Sequence, residues 1–159
     1  IAGENTESRS CIFAARDLID EVMDHSRCVR TKQFKYIRNY TPENGYRECD
    51  YVYRNRPMWK EILRLDSAGQ LNETQRLLLR KQKPREELYD VIADPHEINN
   101  LAGDADHADT LDELRRRLDQ WLTSTNDRGL ASLAKPADPP SKPNVILILA
   151  ELVHQQLRR

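Results

Sequence analysis

The sequence predicts an α+β fold: a small antiparallel sheet packed by a C-terminal amphipathic helix, followed by a proline-rich linker and an appended strand. Three observations support this. Residues that favour strands are frequent in segment 27–41, and apolar residues recur at three- and four-residue steps over 106–124. A proline-rich stretch precedes the last apolar run, at 145–149. We predict a domain over 1–127, a linker over 128–143, and an orphan strand with a short tail over 144–159.

The first third of the chain is rich in strand-forming residues. The apolar run at 11–15 predicts a short strand, and the acidic segment 18–25 predicts a connector with a helical turn. Segment 27–41 predicts two strands that meet near Lys32 and Gln33. A long irregular loop should follow over 42–57, which holds two prolines and an Asn-Gly pair.

The middle of the chain predicts two short helices, over 58–65 and 72–81. In the first, four residues fall on one apolar stripe: Trp59, Ile62, Leu63 and Leu65. In the second, three consecutive leucines should point toward a core: Leu77, Leu78 and Leu79.

Segment 86–104 predicts a short strand and then a brief helical turn. Leu88 and Tyr89 suit the strand, and Asp94 is placed to cap a turn, with Pro95 at its first position and Glu97 reaching back. The long helix predicted over 106–124 carries a regular apolar stripe, which consists of Leu111, Leu114, Leu118, Trp121 and Leu122. We expect Leu114, Leu118 and Trp121 to be buried against the sheet.

The run of five apolar residues at 145–149 is typical of a strand buried on both faces of a parallel sheet. Such a strand needs neighbours that this chain does not supply after it. We therefore expect residues 130–159 to pack weakly, and their removal to leave the stability of the remaining domain nearly unchanged.

The composition and charge of the chain argue against several classes of function. The formal net charge is −1, which provides no general attraction to nucleic acid or to an anionic membrane. No apolar run is long enough to cross a membrane, and no secretory signal pattern is present. The three cysteines (Cys11, Cys28 and Cys49) match neither a zinc site nor a redox pair, and no two histidines have metal-site spacing on a helix.

Three stretches together resemble the C-terminal part of the sulfatase family, nearest to its heparan N-sulfatase (N-sulfoglucosamine sulfohydrolase) branch. They are "FAARD" with "RCVRTKQFKYIRNY", then "KPREELYDVIADPHEINNLAGD", then "LDELRRRLDQWLTSTND", and they span roughly residues 10–128. The resemblance implies a small antiparallel sheet packed by the terminal helix. It also implies a sulfated-sugar substrate, calcium and formylglycine as cofactors of an intact enzyme, and an extracytoplasmic or lysosomal location.

The catalytic parts that the resemblance implies are missing from this sequence. Formylglycine forms at the first residue of C/S-x-P-x-R, and none of the three cysteines begins such a motif. Ser141 begins "SKPNV", in which valine replaces the arginine. The run at 144–150 resembles the first strand of a sulfatase, yet Glu151 and Leu152 stand where that family has two metal-binding aspartates, and leucine cannot bind calcium. We predict no catalytic residue, no metal site and no cofactor in this chain, and no activity in isolation.

Four residues are candidates for the substrate side: Arg16, Asp17, Arg30 and Lys32. The first two follow an apolar strand, where the family's active site would lie near the end of the sheet. The other two belong to a group of basic residues on the paired strands, completed by Lys35 and Arg38, which faces either an anionic sugar or solvent. His96 is either a structural residue or an acid–base group, and Glu97 is most simply a capping group.

The leading hypothesis is that the chain is the C-terminal domain of a sulfatase, which in an intact enzyme would contact the remainder of the catalytic domain and help to shape the sulfated-sugar pocket. Two other functions remain open: a free-standing module that binds sulfated polysaccharide without chemistry, and a structural fragment without a function of its own.

Overall fold

The chain is seen in a computed structural model that describes residues 9–19, 22–46 and 55–129. Its centre is a four-stranded antiparallel sheet in the order β1-β2-β3-β4, so sequential strands are also spatial neighbours. The strands are β1 Ile12–Ile19, β2 Val22–Arg30, β3 Phe34–Asn39 and β4 Glu86–Asp90. The helices are α1 Pro57–Ser67, α2 Glu73–Arg76 and α3 Ala108–Ser124, with 3₁₀ turns at Pro42–Asn44, Leu77–Leu79 and Ala105–His107. The predicted α+β class is confirmed.

One face of the sheet packs against α3. Val29, Tyr36 and Leu88 are neighbours across three strands and are fully buried. They meet the buried stripe of α3, which consists of Leu111, Leu114 and Leu118. Trp121 is only partly buried: it packs at the margin of this core and stacks on Phe13, with ring centroids 5.0 Å apart. The predicted packing direction of α3 is therefore confirmed for the leucines, while the tryptophan is less buried than expected.

The predicted helical turn at 18–25 is wrong. β1 continues to Ile19 and β2 begins at Val22, with Leu18 paired to Met23. The register shifts between Arg16 and Leu18, an irregularity typical of a β-bulge. Cross-strand hydrogen bonds prevail here over the acidic, helix-compatible composition of the segment.

The two short helices of the middle segment form, but they bury less than the sequence predicts. In α1 Trp59 is buried, whereas Leu63 is 41% exposed. α2 gives way to a 3₁₀ turn over the three leucines, none of which is buried, and Leu78 is 45% exposed. A 3₁₀ turn spreads three consecutive side chains around its axis, so they cannot all point to one core.

The predicted helix start at Asp94 is also wrong. Residues 91–97 form turns, and Glu97 has a backbone φ of 54°, in the left-handed region that ends helical geometry. The Asp94 carboxylate still accepts hydrogen bonds from backbone N–H groups, at 2.7 Å from both Ile98 and Asn99. The Glu97 carboxylate accepts a hydrogen bond from Lys35 Nζ at 2.5 Å instead of capping a helix.

Residues 130–159 lie outside the described part of the chain. The predictions for the linker, for the strand at 144–150 and for Glu151 therefore stay predictions. In the part of the chain that is described, no helix is long and apolar enough to cross a membrane.

Candidate functional site

The two faces of the sheet differ in chemistry because successive side chains of a strand point to opposite sides. The first face carries Val29, Tyr36 and Leu88 and is covered by α3. The second face carries polar side chains from all four strands: Arg16, Asp24, Ser26, Asn39, Glu87 and Tyr89. We call this second side of the sheet the polar face.

A cavity of about 450 Å³ lies over the polar face. Trp59 of α1, Leu77 and Leu78 of the 3₁₀ turn, and residues 96–98 also line it. The cavity thus combines an apolar wall with a floor of charged groups, which is the usual composition of a site for a small polar ligand.

The floor of the cavity has one carboxylate shared by two cations. Asp24 is buried and accepts a short hydrogen bond from Lys83 Nζ, itself buried. Arg16 Nε lies 3.3 Å from the other oxygen of Asp24, yet the contact lacks hydrogen-bond geometry and this buried nitrogen has no hydrogen-bond partner. Two cations thus share this one carboxylate, and the buried Nε of Arg16 lacks a hydrogen-bond acceptor.

The other end of the floor has a saturated carboxylate. Glu87 is buried and accepts hydrogen bonds from Asn39 Nδ2 at 2.5 Å, from the Tyr89 hydroxyl at 2.6 Å and from the Tyr46 hydroxyl at 2.9 Å. Burial, together with the negative charge of Glu87, raises the pKa of both tyrosines above its ordinary value. Both hydroxyls stay protonated at neutral pH and donate to Glu87, so this carboxylate has little capacity left for a ligand.

The structure does not bring the four predicted substrate-side residues together. Arg16 lines the cavity, whereas Asp17 lies on the α3 side and accepts two hydrogen bonds of 3.0 Å from the guanidinium of Arg27. Lys32 is exposed in the β2–β3 turn, and Arg30 is exposed at the end of β2 and does not line the cavity.

The basic residues on the paired strands do not form one surface. Arg30 pairs with Lys35 in the register and shares the polar face, where Lys35 is bound to Glu97. Arg38 is on the opposite face and forms an ion pair of 2.5 Å with Asp119 of α3. The odd spacing between Lys35 and Arg38 separates them, because strand side chains alternate.

His96 lines the cavity, is exposed, and has no ion-pair partner within the described residues. Its two predicted roles therefore stay predictions. The carboxylates of Asp90 and Asp104 accept hydrogen bonds from nearby backbone N–H groups, as turn and capping residues do.

Several residues of the cavity escaped the sequence analysis. Asp24 lies in segment 18–25, for which the sequence predicts a connector, and Lys83 is one of several basic residues at 76–85 that face either an anionic sugar or solvent. Asn39 and Glu87 are polar residues at buried positions of β3 and β4. Both strands contain further charged residues, so no local pattern indicates that these two side chains are the buried ones.

The calcium that the resemblance implies has no fitting ligand set in the described part of the chain. Among residues 9–19, 22–46 and 55–129, no three His, Cys, Asp or Glu side chains are grouped so that they could hold a metal ion. The two aspartates that do converge, Asp17 and Asp127, already bind the guanidinium of Arg27 between them.

No protein-family model matches the chain. It is 48% identical over 122 residues to an ulvan-active sulfatase of Formosa agariphila, a match that covers 76% of this chain and 20% of that protein. It is 31% identical over 102 residues to the human N-sulphoglucosamine sulphohydrolase, covering 64% of this chain and 20% of that protein. Among solved structures, a 2-O GAG sulfatase is similar over 84% of this chain and 20% of its own, with 24% identity and a TM-score of 0.47.

The α+β chain is thus a sulfatase homologue, as the motifs in its sequence indicate. It spans about a fifth of the length of the curated relatives that it matches, so it corresponds to one segment of a larger sulfatase.

Proposed function

We propose that this chain is the C-terminal, non-catalytic segment of a sulfatase, and that it contributes the polar cavity to the recognition of a sulfated sugar. The observation that supports this is the position of Arg16, a cation that lines the cavity, is 34% exposed, and shares Asp24 with Lys83. A sulfate group would supply acceptor oxygens to the exposed part of this guanidinium. Arginine suits this role because its donors have a fixed planar arrangement and its charge persists at any ordinary pH.

The apolar wall of the cavity complements this charge. Trp59 is 4% exposed and lines the cavity together with Leu77 and Leu78. A sugar ring has apolar C–H faces and polar edges, so it can contact a tryptophan while a substituent reaches a cation. The names of the two relatives given above refer to ulvan and to N-sulphoglucosamine. For this reason we propose a sulfated sugar rather than another anion.

We also propose that the chain alone hydrolyses no sulfate ester or sulfamate, because it lacks the C/S-x-P-x-R nucleophile motif. The remainder of a sulfatase catalytic domain would have to supply the nucleophile and the metal. Purified chain should show no turnover of an aryl sulfate or of N-sulfated glucosamine, with or without calcium. Turnover that copurifies with the chain through two orthogonal columns would contradict the proposal.

Binding tests the cavity separately from catalysis. Arg16→Gln should weaken the binding of N-sulfated glucosamine, measured by calorimetry, by roughly tenfold, the effect of losing one hydrogen bond to a charged group. Arg30→Gln is the matched control, because this arginine is exposed near the polar face but does not line the cavity. Equal affinity of the parent chain and Arg16→Gln, or an equal loss in both variants, would exclude the cavity as the site.

A free-standing binding module makes a different prediction for the same experiment. It would bind the sugar with full affinity in the absence of any other part of a sulfatase. A sulfatase segment should bind the sugar more weakly alone than when the complementary catalytic domain is added.

A further inference from the structure

A second hollow surface lies away from the polar cavity, along one edge of α3. It consists of two depressions of about 520 and 630 Å³ that share Ser10, Glu113 and Arg117 and therefore adjoin each other. The first runs toward the β2–β3 turn at Lys32, and the second runs along α3 to Trp121. We call this combined surface the helix-edge groove.

The helix-edge groove is strongly cationic although the whole chain is not. Four basic residues line it, namely Arg9, Lys32, Arg116 and Arg117, against the single carboxylate of Glu113. Glu113 is already bound to Arg117 at 2.5 Å. Within the described residues the other three cations have no ion-pair partner, so the groove has a local charge surplus in a chain whose formal net charge is −1.

An aromatic platform lies at one end of the groove. Phe13 and Trp121 stack nearly parallel, with an interplanar angle of 3°, and both are only partly buried. Because each ring also lines the second depression, an elongated ligand could contact the aromatic surface and the cations at the same time.

We propose that the helix-edge groove binds a linear sulfated polysaccharide, and that it is a site separate from the polar cavity. Its elongated form and spaced cations match a polymer with repeated anionic groups, and the aromatic platform matches the apolar face of a sugar ring. Its four cations lie along one groove, whereas nucleic acid binding depends on cations that neutralise many phosphates along the duplex. This proposal is independent of the one for the polar cavity, because either site can be absent without affecting the other.

The two tryptophans of the chain report on the two sites separately. Trp59 lines the polar cavity and Trp121 lines the helix-edge groove. In a Trp59→Phe background, addition of a size-fractionated heparin oligosaccharide should change the fluorescence of Trp121. Chemically desulfated heparin of the same length should not.

Charge variants test which residues hold the polymer. In the Trp59→Phe background, Lys32→Gln combined with Arg116→Gln should weaken heparin binding by roughly fivefold, the size expected for the loss of two exposed ion pairs. The matched control is Lys60→Gln combined with Arg85→Gln, which removes the same charge from exposed positions outside the groove. All four side chains are exposed, so circular dichroism should show the same fold and melting temperature in both variants.

Each other outcome overturns the proposal. These outcomes are no response of Trp121 to heparin, no loss of affinity in the groove variant, and an equal loss in the control variant. Binding of a single-stranded DNA oligonucleotide with equal affinity through the same two residues would show a general polyanion site instead. A dimer seen by sedimentation that dissociates in the groove variant would show that a second copy of the chain occupies the groove.

Discussion

Arg27 is the residue with the densest set of polar contacts in the described part of the chain. Its side chain is 2% exposed and binds two carboxylates, Asp127 at 2.6 Å through Nε and Asp17 at 3.0 Å through Nη1. Asp127 follows α3 and Asp17 belongs to β1, so one guanidinium connects the end of the helix to the edge strand. A planar group with five donors is suited to bridging two carboxylates in this way.

Replacement of Arg27 by methionine should lower the free energy of unfolding by about 3–5 kcal/mol, because it leaves two carboxylates facing each other without a cation. Urea unfolding at pH 7 measures this. Arg85→Met is the control, since Arg85 is exposed and has no ion pair within the described residues. A loss no larger than that of the control would show that Arg27 does not hold the helix end to the sheet.

At the scale of elements, the interface between the sheet and α3 has an apolar centre and is bordered by charged hydrogen bonds. The centre consists of the buried leucines and Tyr36. At the margin, Glu86 accepts hydrogen bonds from the Tyr36 hydroxyl at 2.5 Å and from Arg115 Nε at 2.8 Å. Burial is the largest cause that raises the pKa of Tyr36 to about 12, so this hydroxyl remains a donor.

Leu118→Ala should lower the free energy of unfolding by about 2–5 kcal/mol, because Leu118 is fully buried and its truncation leaves a cavity between α3 and the sheet. Gln120→Ala, on the exposed side of the same helix, should change it by less than ~0.5 kcal/mol. If chemical denaturation showed equal effects of the two changes, the assignment of the apolar side of α3 would be wrong.

At the scale of the whole molecule, stability should depend on pH in the acid range. Hydrogen bonds from Arg27 lower the pKa of Asp127 from 3.8 to about 2, and hydrogen bonds from Arg115 lower that of Glu86 from 4.5 to about 2. Both carboxylates have a lower pKa in the folded chain than in the unfolded chain. Their contribution is therefore complete above about pH 4.5 and is lost as the pH falls toward 2.

Urea unfolding between pH 7 and pH 2 should accordingly show a loss of a few kcal/mol, concentrated below pH 4.5. Glu86→Gln should be less stable than the parent chain at pH 7 and lose less on acidification, because one of the two titrating groups is gone. Parallel pH profiles for the parent chain and this variant would show that Glu86 does not contribute.

Local patterns in the sequence were sufficient for most of the fold. The β2–β3 hairpin, the strand at Leu88 and the apolar stripe of α3 follow from periodicity, which depends only on neighbouring residues. The strand pairing before β2 and the turns after Asp94 could not be predicted from local patterns. Cross-strand pairing outweighs the local helix preference in the first segment, and the left-handed backbone at Glu97 outweighs it in the second. The sulfatase relationship also came from local motifs, and the relatives confirm it.

What only the tertiary structure decided is which charges face each other. Arg27 and Asp127 are 100 positions apart, and Lys83 reaches Asp24 across 59 positions. No local pattern specifies such pairs, so the sequence alone could propose Arg16 and Lys32 as substrate-side residues but could not separate them into a cavity and a groove. Residue type sets the chemistry that is available, whereas strand register and chain packing determine which charged side chains lie close enough to pair.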